Sequence, residues 1–300
     1  MRIVSFIHEA EPCVGFILDD GSLFSLAGTS YAHLNAIDLL EMPVQDRELM
    51  AEHVIAATKA SPLRLGDVRL LPPISRPGKI VCLGLNYFDH AAESGHDKPS
   101  YPSFFLRSAD SLVAAGDPIL RPACSEKLDY EAELAVIIGK RCRHASVDDA
   151  LSHVGGYSCF NDASVRDFQH KTSQWTIGKN FDGTGAFGPV IVTADEMPDG
   201  AVGLEIATRL NGEVLQQDNT ANMAFTVAQA IVVLSQCMTL YPGDVIAMGT
   251  PAGVGSARRP PVWMRHGDTV EVFIEGVGTL SNPIRDEMSQ TGSTHGEVCS

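Results

Sequence analysis

From Ile80 onward, short runs rich in Val and Ile recur at 80–84, 128–138, 189–193, 203–210, 245–248, 269–274 and 278–281. That rhythm excludes a doubly wound sheet, which needs a helix after nearly every strand. No G-x-G-x-x-G or phosphate-loop pattern occurs either. Many short strands with few helices predict a mainly β fold with some α, rolled or barrel-like and mostly antiparallel. Asn211-Gly212, between TRL and EVLQQ, predicts a tight hairpin. The apolar stretch 223–234 reads as one buried helix.

Before residue 80 the pattern differs. Residues 2–7 and 13–18 read as strands, Asp20-Gly21 as a turn into 22–26, and 31–41 and 46–60 as helices. The segment LPPISRPGK (71–79) then supplies three prolines and a glycine, so a boundary is placed near residue 75. Residues 1–75 are expected to form a small N-terminal α+β accessory domain, 76–285 the main domain, and 286–300 a disordered tail. Lys+Arg 22 against Asp+Glu 37 leaves a net charge of −15, which argues against nucleic acid as a partner. Seven cysteines without a C-x-x-C pair read as reduced thiols of a cytoplasmic protein. MRIVSFIHEAEP breaks its apolar run at His8, too early for a signal peptide. No apolar run approaches ~18 residues, so no membrane partner is expected.

Three segments carry candidate chemistry. In LDYEAELAVIIGK (128–140), read as a strand, Glu131, Glu133, Ala135 and Ile137 share one face. The two carboxylates stand roughly 6.5–7 Å apart at Cα, either on a solvated strand face or around a hard divalent ion such as Mg²⁺ or Mn²⁺. In GYSCFNDASVRDFQHK (156–171), a helix starting near Asp162 would bring Arg166 and Gln169 onto its face. That is either an anion site beside a metal ligand or a capped helix start. In GLNYFDHAAESGH, His90 and Glu93 at i, i+3 form either a surface pair or a dyad able to activate water. Lys179 in a glycine-rich loop is either an electrophile that stabilises an enolate or a surface cation. Thr250 after the strand DVIAM is either a contact for a carboxylate or plain turn chemistry, and Arg107 after Phe104-Phe105-Leu106 either a further substrate cation or a salt-bridge partner.

Taken in order, GLNY..H..E, DYEAEL, ND.S.RD.Q, GK.FD..G..GP, RLNGE, PGDVI..GTP.GVG and GD.VEV.IEG.G.L.NP resemble the fumarylacetoacetate hydrolase family over about residues 76–284. The resemblance implies a β-sandwich roll around Mg²⁺ or Mn²⁺, usually in a homodimer. It implies metal ligands at Glu131, Glu133 and Asp162, a water-activating dyad at His90 and Glu93, and an active-site lysine at Lys179. It places Arg166, Gln169 and Thr250 at the substrate's carboxylate and keto oxygens. Arg107 stands where many members have lysine, and is expected at the distal part of the substrate. The arginines of VGSARRPPVWMRH (Arg258, Arg259, Arg265) have no counterpart in these motifs. The activity so implied is hydrolysis of a C–C bond in a 2,4-dioxo acid of acylpyruvate or fumarylpyruvate type, in aromatic catabolism. The alternative is a decarboxylase or decarboxylase/isomerase of oxaloacetate or a related oxo acid at the same site.

Overall fold

Residues 132–138 have no polar face, because β10 (Ala132–Ile138) is buried on both sides. Its even-numbered side chains, Leu134, Val136 and Ile138, enter one core, whereas Ala135 and Ile137 enter another. Such a strand must lie inside a sheet covered on both faces. The computed structural model, which describes residues 1–58, 61–93, 95 and 100–288, shows that arrangement. The tail expected at 286–300 falls outside the described residues from 289 onward.

The chain opens with β1 (Arg2–His8), β2 (Glu11–Ile17) and β3 (Leu23–Ser25), then α1 (Ala36–Glu41), α2 (Val44–Ala57) and β4 (Arg69–Leu70). Next come β5 (Ile80–Gly84), α3 (Phe88–Glu93), β6 (Ser103–Arg107), β7 (Leu112–Ala114), β8 (Ile119–Arg121) and β9 (Leu128–Asp129). Beyond β10 lie β11 (Val154–Asp162), β12 (Ser164–Val165), the short helices α4 (Arg166–Gln169) and α5 (Thr176–Lys179), and β13 (Gly185–Thr193). The chain continues through β14 (Glu205–Leu210), β15 (Glu213–Asn219), α6 (Val227–Cys237), β16 (Val245–Ala247), β17 (Thr269–Ile274) and β18 (Gly278–Asp286).

Eleven strands form the main sheet, in the order β3-β2-β1-β13-β11-β10-β16-β5-β6, with β4 on β1 and β7 on β13. A five-stranded sheet, β15-β14-β17-β18-β8, faces it across the larger core, which α6 helps to fill. On its other face the main sheet is covered by α1 and α2 through Leu39, Leu40, Met50 and Val54. The expected mainly β sandwich with some α is therefore the observed architecture. The first 75 residues do not stand apart from it: β1 pairs antiparallel with β13, Ile3 opposite Ile191.

Three local expectations are corrected. The strand read over 128–138 is interrupted at Tyr130 and Glu131, so β9 and β10 are separate; β9 leaves the main sheet to pair with β12. No helix starts at Asp162. That residue ends β11, opposite Gly185 of β13, and the helix begins at Arg166. The apolar stretch after 222 is helical only from Val227, where Thr226 and Gln229 form a reciprocal cap. No helix among the described residues is long and apolar enough to cross a membrane.

Candidate active site

The site gathers at one end of the main sheet, because strand direction alternates there. The C-terminal ends of β5, β11 and β16 meet the N-terminal ends of β10 and β13. Register sets the first pair of neighbours: the Asp162 N–H donates to the Glu131 carbonyl at 3.0 Å. As a result Glu131, Glu133 and Asp162 offer carboxylate oxygens that all lie within 4.8 Å of one another, and all three residues are buried. The solvated-face reading of Glu131 and Glu133 is thereby excluded.

Charge is distributed unevenly over this cluster. Lys179 Nζ bridges Glu131 Oε2 at 2.7 Å and Asp162 Oδ2 at 2.5 Å. Arg166 reaches Glu131 Oε1 at 2.7 Å, and Arg107 reaches Asp162 Oδ1 at 2.5 Å. Glu133 accepts only the backbone N–H of Gly249, at 2.9 Å, and pairs with no cation among the described residues. Burial, then the neighbouring Asp162 and Glu131, hold its carboxyl well above the usual range. Burial also acts to raise Glu131, but Lys179 and Arg166 outweigh it and hold that carboxyl down at about 2. Four buried carboxylates (Asp129, Glu131, Glu133, Asp162) face three buried cations (Arg107, Arg166, Lys179), a balance of −1. An all-oxygen donor set with surplus negative charge fits a hard divalent cation.

Gly249 is required where it stands. Its φ is +84°, and an added Cβ would come within 2.6 Å of the Asn86 Cβ. Any other residue would strain the turn that points its N–H at Glu133.

Glu131 and Glu133 open into a cavity of about 600 Å³ that is also lined by His90, Glu93, Arg166, Gln169, Lys179 and Thr250, with Asp162 behind them. His90 Nδ1 lies 2.8 Å from Glu93, which as a carboxylate can only accept; in the neutral ring Nδ1–H donates there and Nε2 is the acceptor. Arg166 uses Nε on Asp129 and Nη1 on Glu131 and Gln169, while the buried Nη2 has no partner among the described residues. The Thr250 hydroxyl accepts from Gln216 Nε2 at 2.9 Å, leaving its own proton to donate.

The structure separates Arg107 from this group. Its side chain is fully enclosed and donates to Ser111, Asp162, the Ala163 carbonyl and Thr184, and it forms no part of the cavity wall. It braces Asp162 instead of facing the distal substrate. Asp162, Arg166 and Gln169 share no helix face; Asp162 joins the cluster through Lys179 and Arg107. Arg258 is tied to the Leu215 and Gly253 carbonyls, whereas Arg259 lines the cavity and Arg265 lies outside it. Asp129 and Gln216 were not singled out in the sequence. For Asp129 the signal was present, since the period of two that links Glu133 to Glu131 extends one step further back.

The sequence model described as "Fumarylacetoacetate (FAA) hydrolase C-terminal" matches residues 79–285. The chain belongs to the fumarylacetoacetate hydrolase family. Among relatives in this family, the mitochondrial oxaloacetate tautomerase FAHD2A of Bos taurus is 42% identical over 295 residues, covering 95% of this chain and 91% of that protein. The human protein of the same name is 39% identical with the same coverage. Of solved family structures, a fumarylacetoacetate hydrolase from Exiguobacterium antarcticum superposes with a TM-score of 0.81 at 35% identity, covering 96% of this chain and 100% of that one. A 5-carboxymethyl-2-hydroxymuconate delta-isomerase from Mycobacterium smegmatis gives 0.74 at 31% identity, with coverage of 96% and 100%.

Proposed function

We propose that this chain is a divalent-metal-dependent enzyme that interconverts the keto and enol forms of oxaloacetate or a closely related 2-oxo dicarboxylic acid. The observation that carries this reading is the buried triad Glu131, Glu133 and Asp162, two of whose members line one cavity with the His90–Glu93 pair and with Arg166, whose Nη2 has no partner among the described residues. Relatives named oxaloacetate tautomerases, alike over 95% of the chain, favour this over C–C bond hydrolysis, the first expectation from the sequence.

Glu131, Glu133 and Asp162 would hold the ion, Mg²⁺ or Mn²⁺, whose positive charge when bound favours negative charge on the substrate's C2 oxygen. Arg166 Nη2 and Gln169 take the C1 carboxylate, a geometry suited to a planar anion. Thr250 donates its hydroxyl proton to a substrate oxygen. His90, held by Glu93, takes a proton from C3 at Nε2. The C3–H electron pair becomes the C2–C3 π bond, and the carbonyl π pair moves to the C2 oxygen, which takes a proton from solvent while His90 returns its own to solvent. The reverse sequence regenerates the ketone. The Lys179 ammonium adds positive charge beside the same end of the triad.

The test follows the ultraviolet absorbance of the enol of oxaloacetate with Mg²⁺, with Mn²⁺ and with EDTA, and C3 hydrogen–deuterium exchange by NMR. Metal-dependent acceleration of both is expected. Release of pyruvate and a carboxylic acid from an acylpyruvate, with oxaloacetate left unaccelerated, would overturn the proposal in favour of hydrolysis.

A further inference from the structure

Asp129 lies outside the triad, and the chemistry above gives it no task. It is completely buried at the end of β9, and its two oxygens accept four N–H groups. Oδ1 takes those of Tyr130 at 2.9 Å and Gly255 at 2.7 Å; Oδ2 takes Ser256 at 2.9 Å and Arg166 Nε at 2.8 Å. These donors come from two sides of the cavity. Gly255 and Ser256 belong to the loop after Thr250, which lines the cavity with Val254, Ser256, Ala257 and Arg259. Arg166 carries the vacant Nη2. The same loop is tied a second time, by the Gly253 N–H to Glu93, the partner of His90. The loop sits closely on Asp129: a Cβ on Gly255 would lie 2.6 Å from Asp129 Oδ1 and 1.9 Å from the Val262 carbonyl.

We propose that Asp129 is a positioning residue that fixes the Arg166 guanidinium and the 253–257 loop in one frame, so that Nη2 meets the substrate carboxylate already oriented. Arginine is long and rotamer-rich, and the direction of one N–H is set only when the others are held. Nη1 alone leaves the guanidinium free to pivot about its bonds to Glu131 and Gln169; the Nε bond to Asp129 removes that freedom. Preorganisation of this kind shows in substrate binding. The inference rests on the function proposed above only for the identity of the bound acid.

Asp129→Asn keeps the shape but sets an amide N–H against the Ser256 and Arg166 donors or, flipped, against those of Tyr130 and Gly255. In Mn²⁺-loaded protein, KM for oxaloacetate should rise about tenfold to a hundredfold, while kcat and the Mn²⁺ affinity read by EPR change by less than about threefold. A thermodynamic cycle with Arg166→Gln separates positioning from general support of the fold. Asp129→Asn should be harmful in the native background and neutral or beneficial beside Arg166→Gln, where Asp129 has lost its cation. Effects that multiply overturn the proposal, as does an unchanged KM. Should D129N give no folded protein, Asp129→Ser, with room for a water among the same N–H groups, carries the same cycle. If the native protein turns over no 2-oxo acid, the cycle is read from pyruvate binding to the Mn²⁺-loaded protein by calorimetry. Binding without turnover then sinks only the proposed function, and no binding at all sinks the role of Asp129 as well.

Discussion

Glu133→Gln should move stability and metal affinity in opposite directions. Glu133 is enclosed, receives one backbone N–H at 2.9 Å, and faces two further carboxylates with no cation paired to it among the described residues. Folding therefore either buries an uncompensated charge or takes up a proton, and both cost free energy at neutral pH. Relief of a buried unpaired charge of this kind is worth about 1–3 kcal/mol. The amide retains the volume and the oxygen that accepts from Gly249, so no cavity opens against the gain. In EDTA the variant should melt a few degrees higher than the native protein, given about 2–4 °C per kcal/mol for chains of this size class. Because the folded carboxyl is raised, its penalty is present above the ordinary glutamate value of ~4.3 and vanishes below it, so the gain should fade as pH drops into that range. With Mn²⁺ the order reverses. At a hundred times Kd the ion adds about 2.7 kcal/mol to the native fold, and the variant, with one ligand neutralised, should need at least about a hundredfold more metal for the same shift. Differential scanning fluorimetry in EDTA and across a Mn²⁺ series reads both. A lower melting point in EDTA, or an unchanged Mn²⁺ series, would refute the charge argument.

His90→Ala should slow C3 proton exchange by about 10²–10⁴-fold and leave the Mn²⁺ affinity unmoved, since the ring donates to Glu93 and supplies no atom to the triad; exchange by NMR and metal binding by EPR check the two halves. Arg107→Met should cost about 3–5 kcal/mol, because it leaves Asp162 with a buried unmatched oxygen. That loss is read by urea denaturation, and an unfolding curve like that of the native protein would refute the bracing of Asp162 by Arg107.

Local patterns carried as far as local physics reaches. The Val/Ile runs placed β5 at 80–84 and β17 at 269–274, and Asn211-Gly212 placed the β14–β15 turn, because alternation and positive φ are written in adjacent residues. The family motifs brought Glu131, Glu133, Asp162, His90, Lys179 and Arg166 together, and the structure sets all but Asp162 around one cavity, with Asp162 clustered against Glu131 and Glu133. What the chain did not display is who restrains whom. Gln216, which orients Thr250, stands 34 residues before it on another sheet, and Arg107 reaches Asp162 across 55 residues. No periodicity encodes such distances. The break at Tyr130–Glu131 was hidden for a related reason: the Glu131 N–H is taken by the Asn161 side chain and that of Ala132 by Gln216, partners invisible to a reading of one strand.

The pairing of β1 with β13 makes the opening segment less expendable than an accessory domain would be. Were the chain cut near residue 75, Ile191 and Val192 would keep their places in the sheet but lose the strand beside them. Their N–H and C=O groups would form an open seam, flanked by core side chains that Val4, Phe6 and Phe16 now cover. Such a seam seeks another strand, and the nearest supply is a second copy of the same fragment. In this fold the prelude to the catalytic half is also the selvedge that keeps its fabric from joining to itself.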